Sequence, residues 1–187
     1  MMITLAGAPC SGKSTVAKTF ALKYNFENIS TGKLIRKMAE DMGLDIIQMQ
    51  TVLNNDKSID TKIEDMQKEM GKSRINDNLL LDSRLGWYCV PESFKVYVTI
   101  PEMEMARRFL QDNERENDQK VETVEEALDC LNYRRNQEIE RFKKTYGVDL
   151  SDTNNYDLIV ENYGKTPEET ADEIYRAYKE FITKKGV

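Results

Sequence analysis

The chain has 187 residues, 40% hydrophobic and 32% charged, with a formal net charge of -6. This is enough for one sizeable core, and the acidic balance argues against nucleic acid or an anionic membrane as the main partner. Histidine is absent, and Cys10, Cys89 and Cys130 are odd in number and far apart, which excludes His-based triads, His-containing metal sites and a disulfide framework.

In chain order, Ile3–Ala6 reads as a first buried strand, followed at once by the stretch GAPCSGKS, Gly7 to Ser14. A second strand is expected at Glu27–Ile29. Ser30 or Thr31 then caps a helix whose buried stripe is Leu34, Ile35, Met38 and Met42, with Arg36 off that stripe. Ile59, Ile63, Met66 and Met70 recur at helical spacing, with Gly71 as a stop. A third strand, Leu79–Asp82, ends in a carboxylate followed by Arg84. Trp87 and Tyr88 read mainly as core. A fourth strand is expected at Val96–Ile100. Arg108 lies on the helix that follows, and the polar stretch from Asp112 to Glu122 reads as a mobile loop.

Thr123-Val124-Glu125-Glu126 has the form of a capping box opening a long helix that Gly147 ends. That helix carries Arg134, Arg135 and Arg141; Arg134 and Arg141 are seven apart, near one face. A fifth strand is expected at Leu158–Val160. Thr166-Pro167-Glu168-Glu169 is a second box, with proline at the first helical position, opening a final helix with Ala171, Ile174, Tyr178 and Phe181 on one face. This strand–helix alternation predicts an α/β fold, a parallel sheet covered by helices.

Gly7-x-x-x-x-Gly12-Lys13-Ser14 is the phosphate-loop pattern, and it lies between a strand and a helix as that pattern requires. Backbone N–H groups curl around phosphate oxygens, Lys13 reaches the β- and γ-phosphates, and the Ser14 hydroxyl binds Mg²⁺. A GTPase, an ATPase motor and a small-molecule kinase all share this cradle. Asp82, at the carboxyl end of a buried strand, needs a cation near it, and Mg²⁺ held by Ser14 supplies one. Arg36 with Arg84, and Arg134 with Arg141, supply the charge a transferring phosphoryl group needs.

The chain resembles the nucleoside monophosphate kinases, and within them the short cytidylate kinases. GAPCSGKSTVAKTFA is similar to their phosphate loop, ISTGKLIRKMAEDMGL to their monophosphate-binding helix, and DKSID to their Asp-Pro-Glu-Ile-Asp segment. LLLDSRLGWYCVPESFKVYV resembles their Asp-Gly-Arg-Leu motif and next strand. YRRNQEIERFKKTYGVDLSDTNNYDLIVEN resembles their lid helix and last strand.

The resemblance implies a P-loop NTPase fold with a five-stranded parallel sheet. The core would be residues 1–30, 72–111 and 148–187, with a helical monophosphate-binding region at 31–71 and a lid at 112–147. It implies ATP binding by Gly7, Ala8, Pro9, Cys10, Ser11, Gly12, Lys13, Ser14 and Thr15, with Arg108 against the adenine. Mg²⁺ would sit on Ser14 and Asp82. Arg36, Arg84 and Asp60 would hold the monophosphate, with Asp56 and Asp60 as candidate acceptors from an exocyclic amine. Lys13, Arg134 and Arg141 would be catalytic. The implied reaction is phosphoryl transfer from ATP to CMP or dCMP, by a cytoplasmic monomer without nucleic-acid or membrane partners. A kinase of another small acceptor such as AMP, and a nucleotide-binding regulator without transfer activity, are the alternatives. Lys33, Ser83 and Asp112 depart from the family pattern; Arg115 is a candidate substitute for the basic residue often found in place of Asp112.

Overall fold

The computed structural model describes residues 1–111 and 121–186. Five parallel strands form one sheet in the order β2-β3-β1-β4-β5. They are β1 (Ile3–Gly7), β2 (Glu27–Ser30), β3 (Leu79–Asp82), β4 (Phe94–Thr99) and β5 (Leu158–Glu161). The central strands are near-continuous apolar runs because helices cover both faces. β1 pairs with β3 on one side and β4 on the other, Ile3 lying opposite Leu80 and Phe94. The strand order therefore switches at β1, and a crevice opens at the carboxyl ends of the strands there.

Helices α1 (Lys13–Tyr24) and α8 (Pro167–Lys185) pack on one face, burying Ile3, Leu5, Phe20 and Ile174 together. Burying Ile174 alone is worth about 1.5–3 kcal/mol. On the other face Met2, Leu79, Leu81 and Leu85 meet Phe142 of α7 (Val124–Tyr146). α6 (Glu102–Gln111) packs on α7 through Met105, Phe109, Ala127 and Leu131. Between β2 and β3 stand α2 (Thr31–Asp41), α3 (Ile46–Asn55) and α4 (Lys57–Arg74). Ala39, Met49 and Leu53 give them a small core of their own. A one-turn helix α5 (Gly86–Cys89) follows β3. Among the described residues no helix is long and apolar enough to cross a membrane.

Four local expectations need correction. β4 starts at Phe94 rather than Val96, because Phe94 N–H donates to Met2 O at 3.0 Å and extends the ladder. α4 does not stop at Gly71 but runs on to Arg74; a Cβ at Gly71 would stand 2.9 Å from Val90 Cγ1, so the glycine permits close packing. Met42 is 52% exposed, because α2 ends at Asp41 and the chain turns away before Met42 can join the buried stripe. The box at Thr123 is half-formed: Glu126 N–H donates to Thr123 Oγ1, but the Glu126 carboxylate takes Glu122 N–H instead of that of Thr123. The Thr166 box is complete.

Candidate active site

The loop after β1 is held in one shape. Ala8 N–H donates to Val98 O, and Asn162 Nδ2 donates to Ser11 O at 2.7 Å. Asn162 sits just past β5, and Thr170 of α8 fixes it by donating to Oδ1 at 2.7 Å. Gly12 has φ 77, and a Cβ there would stand 2.7 Å from Asn162 Nδ2, so glycine is required on both counts. Cys10 also has positive φ, 55, a conformation that costs a non-glycine residue about 1 kcal/mol or more. α1 begins at Lys13 with no side-chain cap and no acidic residue in its first turn. Its N-terminal N–H groups and dipole thus suit an anion. Ser11 Oγ is buried in the loop without a partner.

Asp82 is the hub of the crevice. It is 2% exposed and forms an ion pair with Lys13. Ser14 Oγ and Ser30 Oγ donate to its Oδ2 at 3.1 and 3.2 Å. Thr31 Oγ1 donates to its backbone carbonyl. A hydroxyl and a carboxylate side by side are hard oxygen ligands, and Mg²⁺ characteristically takes one or two carboxylates plus substrate phosphates. The residues present fit that ion. Arg36 and Arg84 lie close enough to matter: burial, then the positive charges of Arg84 and Arg36, push the Lys13 ammonium down to about 7. Two further cations thus bear on the lysine that pairs with Asp82, an arrangement that phosphate oxygens would relieve.

Arg84 also forms an ion pair with Glu138 of α7. Glu138 and Arg135 share the wall of a cavity beside Gly7, Ala8 and Pro9. Arg135 also borders a neighbouring cavity of about 260 Å³ with Ala8, Tyr97 and Tyr156. Arg134 and Arg141 are not on either wall. Arg108 lies against the loop, donating to Glu104 Oε1 at 3.0 Å and to Asn162 O at 3.4 Å. Asp112 and Arg115 lie outside the described residues.

Asp56 and Asp60 have different surroundings. Asp56 is exposed and caps α4, its Oδ1 accepting from Ser58 N–H at 2.9 Å. Asp60 is buried, with Arg141 Nε 3.6 Å from its Oδ2. One turn further on, Glu64 is 3% exposed. Burial pushes its carboxyl up to about 7 against the opposing influence of Tyr146, with Asp60 adding to the rise. A raised acid pKa means the folded state favours the proton. Stability from the neutral form is complete below about 4.5 and is lost as pH rises through 7. Glu64→Gln, which mimics the neutral form, should therefore be more stable than wild type by roughly 1–3 kcal/mol at pH 8, with the difference vanishing near pH 4. Urea unfolding at the two pH values measures it; equal midpoints for the two proteins at pH 8 would contradict it.

Sequence reasoning passed over Asn162, Glu138 and Glu64. Glu64 was findable as the residue one turn beyond Asp60 on an expected helix face, whereas the partners of Asn162 and Glu138 are remote in sequence.

Residues 6–126 match a family described as AAA domain. The chain is 37% identical over 161 residues to a cytidylate kinase of Methanocella arvoryzae, covering 86% of this chain and 87% of the relative. It is 31% identical to a cytidylate kinase of Ignicoccus hospitalis, covering 94% and 97% of the two chains. In fold it is similar to shikimate kinase from Acinetobacter baumannii in complex with shikimate, with a TM-score of 0.63 at 17% identity over 96% of this chain and 93% of that one. Fold and site together define a P-loop kinase, with a phosphate cradle at a switch point of a parallel sheet and cations gathered around it. Within that class the chain belongs to the cytidylate kinase family.

Proposed function

We propose that the chain transfers the γ-phosphoryl group of ATP to CMP or dCMP. The observation that carries this reading is a rigid phosphate loop whose Lys13 pairs with Asp82 and feels the nearby charges of Arg84 and Arg36. That gives a donor cradle with further cations beside it, suited to a second phosphate. The relatives named cytidylate kinase supply the acceptor base.

In this reading the triphosphate lies on the loop N–H groups and the start of α1, with Lys13 neutralising charge as the phosphoryl group moves. Ser14 and Asp82 would hold Mg²⁺, which would supply positive charge to offset that of the phosphates. Arg108 rests against the loop on the adenine side. Arg36 and Arg84 align the acceptor phosphate in line with the donor. That acceptor is already an anion, so the lack of histidine leaves no missing base. Residues 31–71 serve as the acceptor-binding region and 112–147 as the lid, of which α7 is the described part. Arg134 and Arg135 follow the transferring group, and we assign Arg141 to the acceptor side, because Asp60 and Asn54 engage it.

A screen of nucleoside monophosphates with ATP and Mg²⁺, following ADP release, tests the proposal. CMP and dCMP should be the fastest acceptors. A clear preference for AMP, UMP or an unphosphorylated alcohol would overturn it.

A further inference from the structure

The cavity of about 260 Å³ lies on the sheet face opposite α1 and α8, and none of Lys13, Ser14, Arg36 and Asp82 lines it. Strand alternation explains its floor. Val96, Val98 and Val160 face the core under α1 and α8, so Tyr97, Thr99 and Ile159 stand on the other face. Tyr97 is paired with Ile159 across β4 and β5. β5 is an edge strand, and Ile159 remains 46% exposed, so the cavity has a rim in solvent. Leu150, Ser151, Thr153 and Tyr156, from the segment before β5, form one wall.

The two ends of the cavity differ. Ala8, Tyr97, Arg135, Leu150 and Tyr156 also border the cavity beside the phosphate loop, and they mark the inner end. Glu102, Ser151 and Thr153 border only the larger cavity, and they mark the outer end. The charge at the inner end is Arg135. It is half-buried, and among the described residues it has no ion pair or hydrogen bond, whereas Arg84, Arg108 and Arg141 each face a carboxylate. Burial raises the pKa of the Tyr97 hydroxyl against the opposing charges of Arg135 and Arg84, so both guanidiniums bear on that ring. A half-buried guanidinium without a counterion suits a carboxylate, which it takes with two parallel N–H···O bonds. At the outer end the Glu102 carboxylate repels an anion but accepts from a hydroxyl or amine. Met105 and Ile159 add apolar surface between.

We propose that this cavity is a second ligand site, for a small aromatic acid with a hydrogen-bond donor opposite its carboxylate. The carboxylate pairs with Arg135, the ring lies along the apolar middle, and the donor meets Glu102. The volume of about 260 Å³ is just below the range for drug-sized ligands, about 300–1,000 Å³, so one substituted ring suits it. Occupation has a consequence for the reaction. Arg135 borders both cavities, so a carboxylate on its outer side holds the guanidinium away from the transferring phosphoryl group. That consequence, unlike the binding itself, rests on the reading that this chain transfers a phosphoryl group to CMP.

Trp87 is the only tryptophan in the chain, and its ring centroid is 5.9 Å from that of Tyr156, so its emission reports on the cavity. Titrating the full chain with 4-hydroxybenzoate, benzoate and phenol tests the site. 4-Hydroxybenzoate should change the emission saturably and bind about tenfold more tightly than phenol, which lacks the carboxylate. Benzoate, which lacks the donor, should fall between them, and Glu102→Ala should erase its difference from 4-hydroxybenzoate. Arg135→Ala should weaken 4-hydroxybenzoate about tenfold with an unchanged melting curve. Saturating 4-hydroxybenzoate should slow ADP release by wild type about fivefold or more. Ile159→Phe, which narrows the rim, should turn over like wild type without the ligand and resist its inhibition. Absence of a saturable change, phenol binding as tightly, or unchanged binding by a folded Arg135→Ala protein would overturn the site. Displacement by CMP alone would put the ligand in the acceptor site and overturn it equally. Saturable binding with unaltered turnover would overturn the hold on Arg135. Failure of the underlying reading is seen separately, as ADP release that CMP does not stimulate even without 4-hydroxybenzoate; the emission titration still decides the site.

Discussion

Lys13→Ala should lower turnover by on the order of 10³-fold while the protein stays folded. Lys13 opens α1 directly beneath the phosphate loop, and its ammonium meets Asp82 in the crevice. As the phosphoryl group moves between donor and acceptor, its charge spreads over oxygens that Lys13 is positioned to touch. Neither Arg36 nor Arg84 comes from the loop, so neither replaces it. Stability should change much less, because two effects oppose each other. Asp82 loses its cation but keeps the hydroxyls of Ser14 and Ser30. At the same time the crowding of Lys13 with Arg84 and Arg36, which together with burial lowers its pKa, is relieved. Circular dichroism and a melting curve should therefore resemble wild type to within several degrees, while ADP release with saturating CMP nearly stops. A folded variant turning over within tenfold of wild type would remove Lys13 from the transfer step.

What could be read from the sequence was what short-range chemistry determines. The phosphate loop is such a case: Gly12 with positive φ, Lys13 and Ser14 act within one turn of chain. Asp82 was legible because a carboxylate ending an apolar strand has few explanations. Asp56 is a local cap, and its bond to Ser58 N–H lies only two residues away, so its capping role could have been read. The rest depended on contacts across the fold. Asn162 anchors Ser11 from 151 residues away. On α7, heptad spacing correctly says that Arg134 and Arg141 are near one face but cannot say what that face looks at. Packing of Leu131 and Phe142 on the core sets the rotation of the helix, and it turns Arg135 and Glu138 toward the loop and Arg141 toward Asp60.

Arg84→Ala should weaken CMP by about 10–100-fold and leave ATP within threefold, since a charge-assisted contact to phosphate is worth roughly 1.5–3 kcal/mol. Arg84 follows β3 at the crevice, two residues past Asp82, whereas the proposed donor site is the loop after β1. Glu138 pairs with this arginine, so the acceptor phosphate must compete with a carboxylate for it. Arg84 is 44% exposed, so water screens the pair and the competition is modest, about 0.5–1 kcal/mol. Glu138→Gln should accordingly shift CMP affinity in the opposite direction to Arg84→Ala, tightening it about twofold to fivefold. In the Arg84→Ala background the same substitution should do almost nothing, because the competitor then has nothing to hold. Titrating CMP and ATP into the four proteins of that cycle separates the possibilities. Arg84→Ala weakening ATP while sparing CMP would reverse the division of donor and acceptor sites. Glu138→Gln weakening CMP would make Glu138 a support that aims Arg84 at the phosphate rather than a rival for it.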